Sequence, residues 1–397
     1  MRLLTVEDAR ARMLAAVGHL DDEEVPLAHG LGRVLSHEVV ATRDQPPFCA
    51  SAMDGWAVRA ADAPGRLKIV GESAAGHGYE GSLRPGEAVR IFTGAAVPTG
   101  ADCVVIQEDA QRDGDFVSVP AVSEPRHIRP TGIDFKGGER LLKAGVRLDP
   151  WRLSLAASAG VANLSVARQP VIAILSTGEE VVEPGGTPGP FQIFNSGTTA
   201  LAALISAWGG RPVALTPVGD EEKAIARAVA KVSCDLLVTL GGASVGDHDL
   251  VKPALGRLGL ELVVESVAVR PGKPTWFGLL RDGRRVLGLP GNPASALVCA
   301  ELFLHPLIAA YQGADHDVRL VTARAAAPLA ANGQREHWMR AKLGHASDGA
   351  LLVEPFGDQD SSLVSVFASA DALLRRAVGA PAVSSGDPVE VLPLPRA

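Results

Sequence analysis

Apolar and polar positions alternate with a period that changes several times along the chain. From residue 5 to 17 the apolar positions recur at helical spacing, and Thr5 with Asp8 has the spacing of a capping box, so a helix is predicted there. A second short helix is expected after Pro26, and Asp44-Gln45-Pro46-Pro47 interrupts the pattern. Between about residues 48 and 140 the runs shorten: 66–70, 88–92, 102–107 and 116–119 read as strands separated by Gly, Pro or Asp. A helix is predicted again from Pro150 to Gly160, with proline at its start and glycine at its end. It is expected to pack with the N-terminal helices, making the β-rich stretch an insertion.

Residues 170–311 alternate strands at 171–175, 212–218, 235–240 and 262–269 with helices at about 198–208, 221–232, 249–258 and 293–310. Segments 275–280 and 284–287 add an antiparallel ribbon. Beyond these, 318–325, 337–342, 351–353 and 389–392 again read as short strands. The predicted class is therefore α/β plus β and multidomain. Residues 1–47 and 141–168 form an elongated helical and β-rich N-terminal region around an inserted β-rich domain at 48–140. A doubly wound α/β domain follows at 169–315, and a small barrel-like β domain at 316–397. Ligands of doubly wound sheets bind at the carboxyl ends of the strands. That rule selects Ser176 to Glu180, Gly219-Asp220, Gly241 to Asp249 and Gly288 to Pro293.

Composition narrows the choice of function. The chain has 397 residues, 47% hydrophobic and 21% charged, an ordinary globular balance. With 38 Lys and Arg against 45 Asp and Glu the net charge is −7, and no basic block occurs, which disfavours a nucleic-acid binder or an anionic-membrane binder. Aromatic residues at 4% are too few for a base-stacking platform. Cys49, Cys103, Cys234 and Cys299 are scattered, without C-x-x-C spacing, as suits a reducing cytoplasm. The N-terminus lacks the apolar core of a signal peptide. The apolar run from Ser295 to Tyr311 is broken by Glu301 and His305, and reads as a buried helix rather than a membrane span.

Several loops carry candidate chemistry. Gly288-Leu289-Pro290-Gly291-Asn292-Pro293 ends a strand and opens a helix, with Asn292 at the N-cap and Pro293 at the first helical position. Outward N–H groups there suit an anion, although the segment also reads simply as a well-made helix start. Arg270-Pro271-Gly272-Lys273-Pro274 holds two cations on a stiff backbone, which suits a tetrahedral oxyanion or a solvated turn. The run Gly241-Gly242-Ala243-Ser244-Val245-Gly246-Asp247-His248-Asp249 can cradle phosphate or merely cap a helix through Asp249. The same run contains the nucleophile-elbow pattern around Ser244, so a serine hydrolase is a rival reading, lacking an HGGG-type oxyanion loop. Glu179 and Glu180, after Ser176-Thr177-Gly178, together with Asp220 suit Mg²⁺, a hard ion preferring oxygen, or are caps and solvated acids. Asp54 before Gly55, Ile91-Phe92-Thr93-Gly94-Ala95 and Gly132-Ile133-Asp134 read locally as turns.

Taken in order, SAMDGWAV at 51–58, IFTGA at 91–95, IRPTGIDF at 128–135, STGEE at 176–180, GGASVGDHD at 241–249, RPGKP at 270–274 and LPGNP at 289–293 form a specific set. Together they closely resemble the molybdopterin molybdenumtransferase family, the MoeA proteins and the gephyrin E domain, over nearly the whole chain. The resemblance implies a transferase acting at the last step of molybdenum-cofactor synthesis. Its substrates would be molybdate and adenylylated molybdopterin, with AMP released and Mg²⁺ assisting. It also implies a homodimer, and the molybdopterin adenylyltransferase as an associated enzyme.

By that resemblance Arg270, Lys273 and the helix start Pro290, Gly291, Asn292, Pro293 and Ser295 are oxyanion candidates, closed by Arg340 and Ser362 from the C-terminal domain. Thr177, Gly178, Gly241, Gly242, Ser244 and Asp249 would hold pterin or phosphate, and Glu179, Glu180 and Asp220 pterin or Mg²⁺. Asp54, Thr93 and Asp134 would complete the cleft across the dimer. Two departures stand out: Arg270 where the family usually has Lys, and Trp56 where it has Tyr or Phe. A tungstate-inserting relative fits the same pattern, as does a molybdopterin-binding scaffold without catalysis.

Overall fold

The computed structural model describes residues 3–122, 126–219, 221–242 and 250–394. Its centre is a six-stranded sheet ordered Arg211–Ala214, Val171–Ser176, Leu236–Leu240, Arg285–Leu289, Trp276–Leu279, Glu261–Val264. The first four strands run parallel, and the last two return antiparallel as a ribbon. Side chains alternate across a strand, so each strand feeds both faces. Ile172 and Ile174 join one core with the helix Ser196–Ala207 and the long helix Pro293–Tyr311. Ala173 and Leu175 join the other, with the helices Glu222–Lys231 and Val251–Gly256. The domain is doubly wound, as the alternation of elements predicts.

The helix Val6–Ala15 is capped as expected, with Thr5 Oγ1 accepting from the Asp8 N–H at 3.0 Å. Its partner differs from the expectation. Val6, Ala9 and Met13 pack into the α/β core, whereas the helix Pro150–Ser158 packs on a separate cluster with Leu35, Val39 and Val166. The segment after Pro26 forms only a single 3₁₀ turn, Leu27–His29. Around it the N-terminal region is mostly paired strand: Asp22–Pro26 with Asn163–Ala167, and Val39–Val40 with Arg140–Leu142. The β-rich stretch folds as its own six-stranded sheet, from Gly55–Val58 to Phe116–Val119.

The predicted strand at 262–269 is two strands. Glu261–Val264 ends the central sheet, and Val269–Arg270 pairs in parallel with Glu336–His345 of the C-terminal domain. There the strands close on themselves, because Glu336–His345 pairs with both Leu351–Pro355 and Ala372–Arg376, making a small barrel. The strand Ala372–Arg376 and the helix Val364–Ser369 are not among the elements that the sequence pattern predicts.

The helix Pro293–Tyr311 is long and apolar enough, by length and composition, to cross a membrane, but 89% of its apolar window is buried inside the protein. Its middle, Ala300–Leu304, is a π-helical turn. A helix that is apolar all round belongs in a core, and this one is the spine of the largest cluster.

One cross-strand pair in the central sheet is packed without spare room. Trp276 sits opposite Gly288 and is fully buried, and a Cβ on Gly288 would lie 2.0 Å from the indole. Gly288→Ala overpacks this core and is expected to destabilise the protein by about 1–3 kcal/mol, read as a lowered denaturation midpoint. An unchanged midpoint would mean that the indole has room to move.

Candidate active site

Four strand ends converge as the sheet topology requires. Thr177 closes Val171–Ser176, with its N–H on Leu240 O at 3.0 Å and its Oγ1 on the same carbonyl at 3.4 Å. Gly178 has φ +130°, and the Glu180 carboxylate lies where a side chain at Gly178 would be. Gly241 has φ +87° and donates to Leu289 O at 3.3 Å; a Cβ there would meet Thr177 O at 2.9 Å. A Cβ on Gly291 would come 3.4 Å from the Gly241 Cα, so the two glycine turns nearly touch. Only glycine allows this left-handed backbone and close approach together. Thr177, Gly178, Gly241, Gly242, Pro290 and Gly291 therefore line one end of the sheet.

Asn292 is the N-cap of the long helix, as its position in the sequence predicts, but its side chain does not cap. Its Nδ2 donates 2.8 Å to Ser361 Oγ of the C-terminal domain, and the Ala294 N–H donates 3.0 Å to Ser361 O. Pro293 follows at the first helical position, and Ser295 is buried. Ser362 turns back on Asp360: its N–H and Oγ donate to Oδ1 at 2.9 and 2.6 Å, which lowers the Asp360 pKa below its ordinary value.

The cationic loop is stiffened from behind. Gly272 has φ +115°, and a Cβ on it would sit 2.1 Å from Cys299 Sγ on the long helix. Thr275 Oγ1 donates to Gly272 O at 2.8 Å. Burial pushes the Cys299 thiol up to about 12, so it packs as an inert apolar group. Arg270 and Lys273 project from this loop, exposed, and neither forms an ion pair among the described residues.

Arg340 is wholly buried in the barrel strand Glu336–His345. Its Nε donates 3.1 Å to Gln359 Oε1 and one terminal nitrogen donates 3.0 Å to Asp360 O, while the other terminal nitrogen is buried without a partner. Burial lowers its pKa. His337, which the sequence reading did not single out, lies beside it and pairs in register with Arg270. Burial, then the charges of Arg270, Arg340, Arg335 and Arg376, push His337 down to about 4, so it is neutral at pH 7. The alternation points instead to the other face, where Glu336, Trp338 and Arg340 are buried together; His337 is set apart only by its tertiary pairing with Arg270. Glu336 is matched by Arg375 at 3.2 Å, whereas Arg340 has no ion-pair partner among the described residues.

A second group lies on the inserted β domain. Asp54 Oδ1 accepts from the Thr93 N–H at 2.7 Å and from Thr93 Oγ1 at 2.8 Å. Those bonds, the backbone one foremost, lower its pKa from the ordinary value, with Arg90 helping. A Cβ on Gly55 would strike Val105 O at 1.9 Å, which fixes the turn after Asp54. Asp134 is exposed, its N–H on Gln45 O at 3.0 Å. Among the described residues no hydrogen bond ties Asp54, Thr93 or Asp134 to the strand ends. Glu179 and Glu180 are exposed, and no group of three or more metal-type side chains occurs among the described residues. Asp220, Ser244 and Asp249 lie outside them.

Chemically, the strand-end site offers glycine turns for phosphate or a flat ring, and the exposed cations of Arg270 and Lys273 for a tetrahedral oxyanion. Three family models divide the chain: the MoeA N-terminal region, domains I and II, at residues 4–160, a probable molybdopterin binding domain at 173–310, and the MoeA C-terminal region, domain IV, at 322–394. A molybdopterin molybdenumtransferase of Nostoc sp. is 35% identical, covering 94% of this chain and 89% of that protein. One of Haemophilus influenzae is 32% identical, covering 98% of each. A crystal structure of the molybdopterin biosynthesis MoeA protein from Pyrococcus horikoshii aligns with a TM-score of 0.82 at 30% identity, covering 99% of each chain.

The charge cluster around His337 has a direct test. His337 is expected to stay neutral down to about pH 4, and Arg270→Gln to move its titration upward by removing a nearby positive charge. Histidine-resolved NMR reads both, and a His337 that titrates at its ordinary value in the wild type contradicts the cluster.

Proposed function

The chain belongs to the molybdopterin molybdenumtransferase family, MoeA, and from that premise we propose that it inserts molybdate into the dithiolene of adenylylated molybdopterin with release of AMP. The observation that carries the reading is the buried terminal nitrogen of Arg340 that has no partner. Buried polar atoms of native proteins are nearly always satisfied, and this one belongs to a guanidinium held on Asp360, next to the Ser361 turn that meets Asn292, which supports a ligand oxygen nearby. Arg270 and Lys273 supply further charge on a loop held by Gly272 and Cys299. The neutral His337 adds none, so a dianion meets the guanidinium and ammonium groups directly. Ser362 and the helix start at Pro290 to Ser295 border the same oxyanion; the Ser362 donors are held by Asp360 and those of Asn292 Nδ2 and Ala294 by Ser361, so this side positions the pocket wall and its positive helix end faces the anion.

The phosphates and pterin rest on the turns of Thr177, Gly178, Gly241 and Gly242, and Ser244, Asp249 and Asp220, outside the described residues, are the further ligands that the sequence motifs suggest. In the reaction, water attacks phosphorus, the phosphoanhydride bond breaks, and AMP leaves. Molybdate takes up the dithiolene sulfurs in exchange for oxygen, which leaves as water. The exposed carboxylates of Glu179 and Glu180 are hard oxygen donors, the type Mg²⁺ prefers, and with Asp220 they would hold it. The ion supplies charge neutralisation on the phosphate. Asp54, held ionised by Thr93, and Asp134 reach the cleft from a second copy of the chain, so the working unit is a homodimer. The reaction takes place in the cytoplasm, and the molybdopterin adenylyltransferase supplies the substrate.

AMP release from adenylylated molybdopterin with Mg²⁺, followed with and without molybdate, tests this. Molybdate-dependent release is expected, and Asp54→Ala or Lys273→Ala should cut it at least a hundredfold, the scale of an electrostatic catalytic contact, with the fold retained by circular dichroism. Binding of the substrate without release would make the chain a molybdopterin-binding scaffold. Wild-type rates in both variants would remove those residues from the site.

A further inference from the structure

Away from the strand ends, the described residues line an open-mouthed cavity of about 620 Å³. It lies where the C-terminal half of the long helix, the segment around Arg147 and Arg152, the linker at Arg319 and the last barrel strand meet. The volume is in the range of small-molecule sites. At 1.5 Å of rise per residue, His305 lies roughly 20 Å along the helix from Asn292, so the cavity is no extension of the site above.

Three features mark it as built for a ligand. Glu301 is 5% exposed, lines the cavity, and has His305 Nδ1 at 3.8 Å as its polar neighbour, beyond hydrogen-bond reach. Burial pushes its carboxyl up to about 7. It stands on the π-helical turn Ala300–Leu304, a widened geometry that recurs at functional sites. His305 stacks one face on Trp208, with ring centroids 4.7 Å apart and planes 8° from parallel, and its side chain is still 46% exposed. Burial and the charge of Arg147 push it down to about 4, so it is a neutral aromatic platform at pH 7. Arg147 has no acidic partner among the described residues; one terminal nitrogen donates to Gly32 O at 2.7 Å. The other two arginines of the wall are already matched, Arg152 by Asp149 and Arg319 by Asp315.

We propose that this cavity binds a nucleoside monophosphate or a phosphorylated amino-heterocycle of that size. The ring lies on the open face of His305, an exocyclic amino group donates to Glu301, and the phosphate meets Arg147. Asp317 on the wall, with no ion-pair partner among the described residues, disfavours a longer polyphosphate. The inference stands apart from the reaction proposed above, whose own AMP contacts would lie at the strand ends.

Hydrogen–deuterium exchange of the full chain with AMP, and separately with inorganic phosphate, tests it. AMP is expected to slow exchange in the segments 145–152 and 312–319, and phosphate alone to leave them unchanged. Glu301→Gln, close to isosteric, and His305→Ala should each weaken that protection at least tenfold in AMP concentration. Protection confined to the loops at 176–180, 270–273 and 289–293 would overturn the proposal. So would equal protection by phosphate, or protection in these two segments that neither variant alters.

Discussion

Burial of the Pro293–Tyr311 helix is the constraint on which the rest of the molecule depends. Leu302, Phe303, Leu304, Leu307 and Ile308 are all fully buried, and each contributes about 1.5–3 kcal/mol by leaving water. The same helix meets every neighbour that matters. At its start it binds Ser361 of the barrel, at Cys299 it backs the cationic loop, and the Tyr311 O–H at its end donates 2.9 Å to Asp235 O beneath the central sheet. The N-terminal helix docks against it through Val6, Ala9 and Met13. A chain assembled around a single buried rod keeps its loops in register over long distances, because interiors are close-packed and transmit displacement.

Along that rod the charges are arranged unequally. Glu336 neutralises Arg375, and Asp235 takes Arg168 in a two-pronged pair at 2.9 and 3.0 Å. Arg340 is instead held by an amide and a carbonyl, which orient a guanidinium without cancelling its charge. Arg270 and Lys273 are exposed and unpaired among the described residues. An acidic chain of net charge −7 thus keeps a local cationic face, because field at short range is set by near neighbours rather than by the total.

Much of this was legible in the sequence, for identifiable reasons. The α/β alternation, the strand-end rule and the helix start at Asn292-Pro293 rest on local periodicity and capping, and they survive folding. The partner of the first helix was not legible: Val6, Ala9 and Met13 specify an apolar face but not the surface that receives it. The division of 262–269 was hidden for a similar reason, since its nearly continuous apolar run serves two sheets. Asp54 and Thr93 read as separate turns, and only folding across 39 residues makes them one hydrogen-bonded pair. His337 is ordinary as a residue type and becomes notable only when Arg270 is laid beside it.

The strand Val269–Arg270 deserts one sheet to become the edge partner of another. Its evolutionary consequence concerns modularity. A recombination event that exchanged the barrel alone would leave Glu336 and His337 without their parallel partner, and Arg270 without a seat. The α/β domain and the barrel are thus sutured along a short backbone seam, which runs through the loop that carries the exposed charges of Arg270 and Lys273.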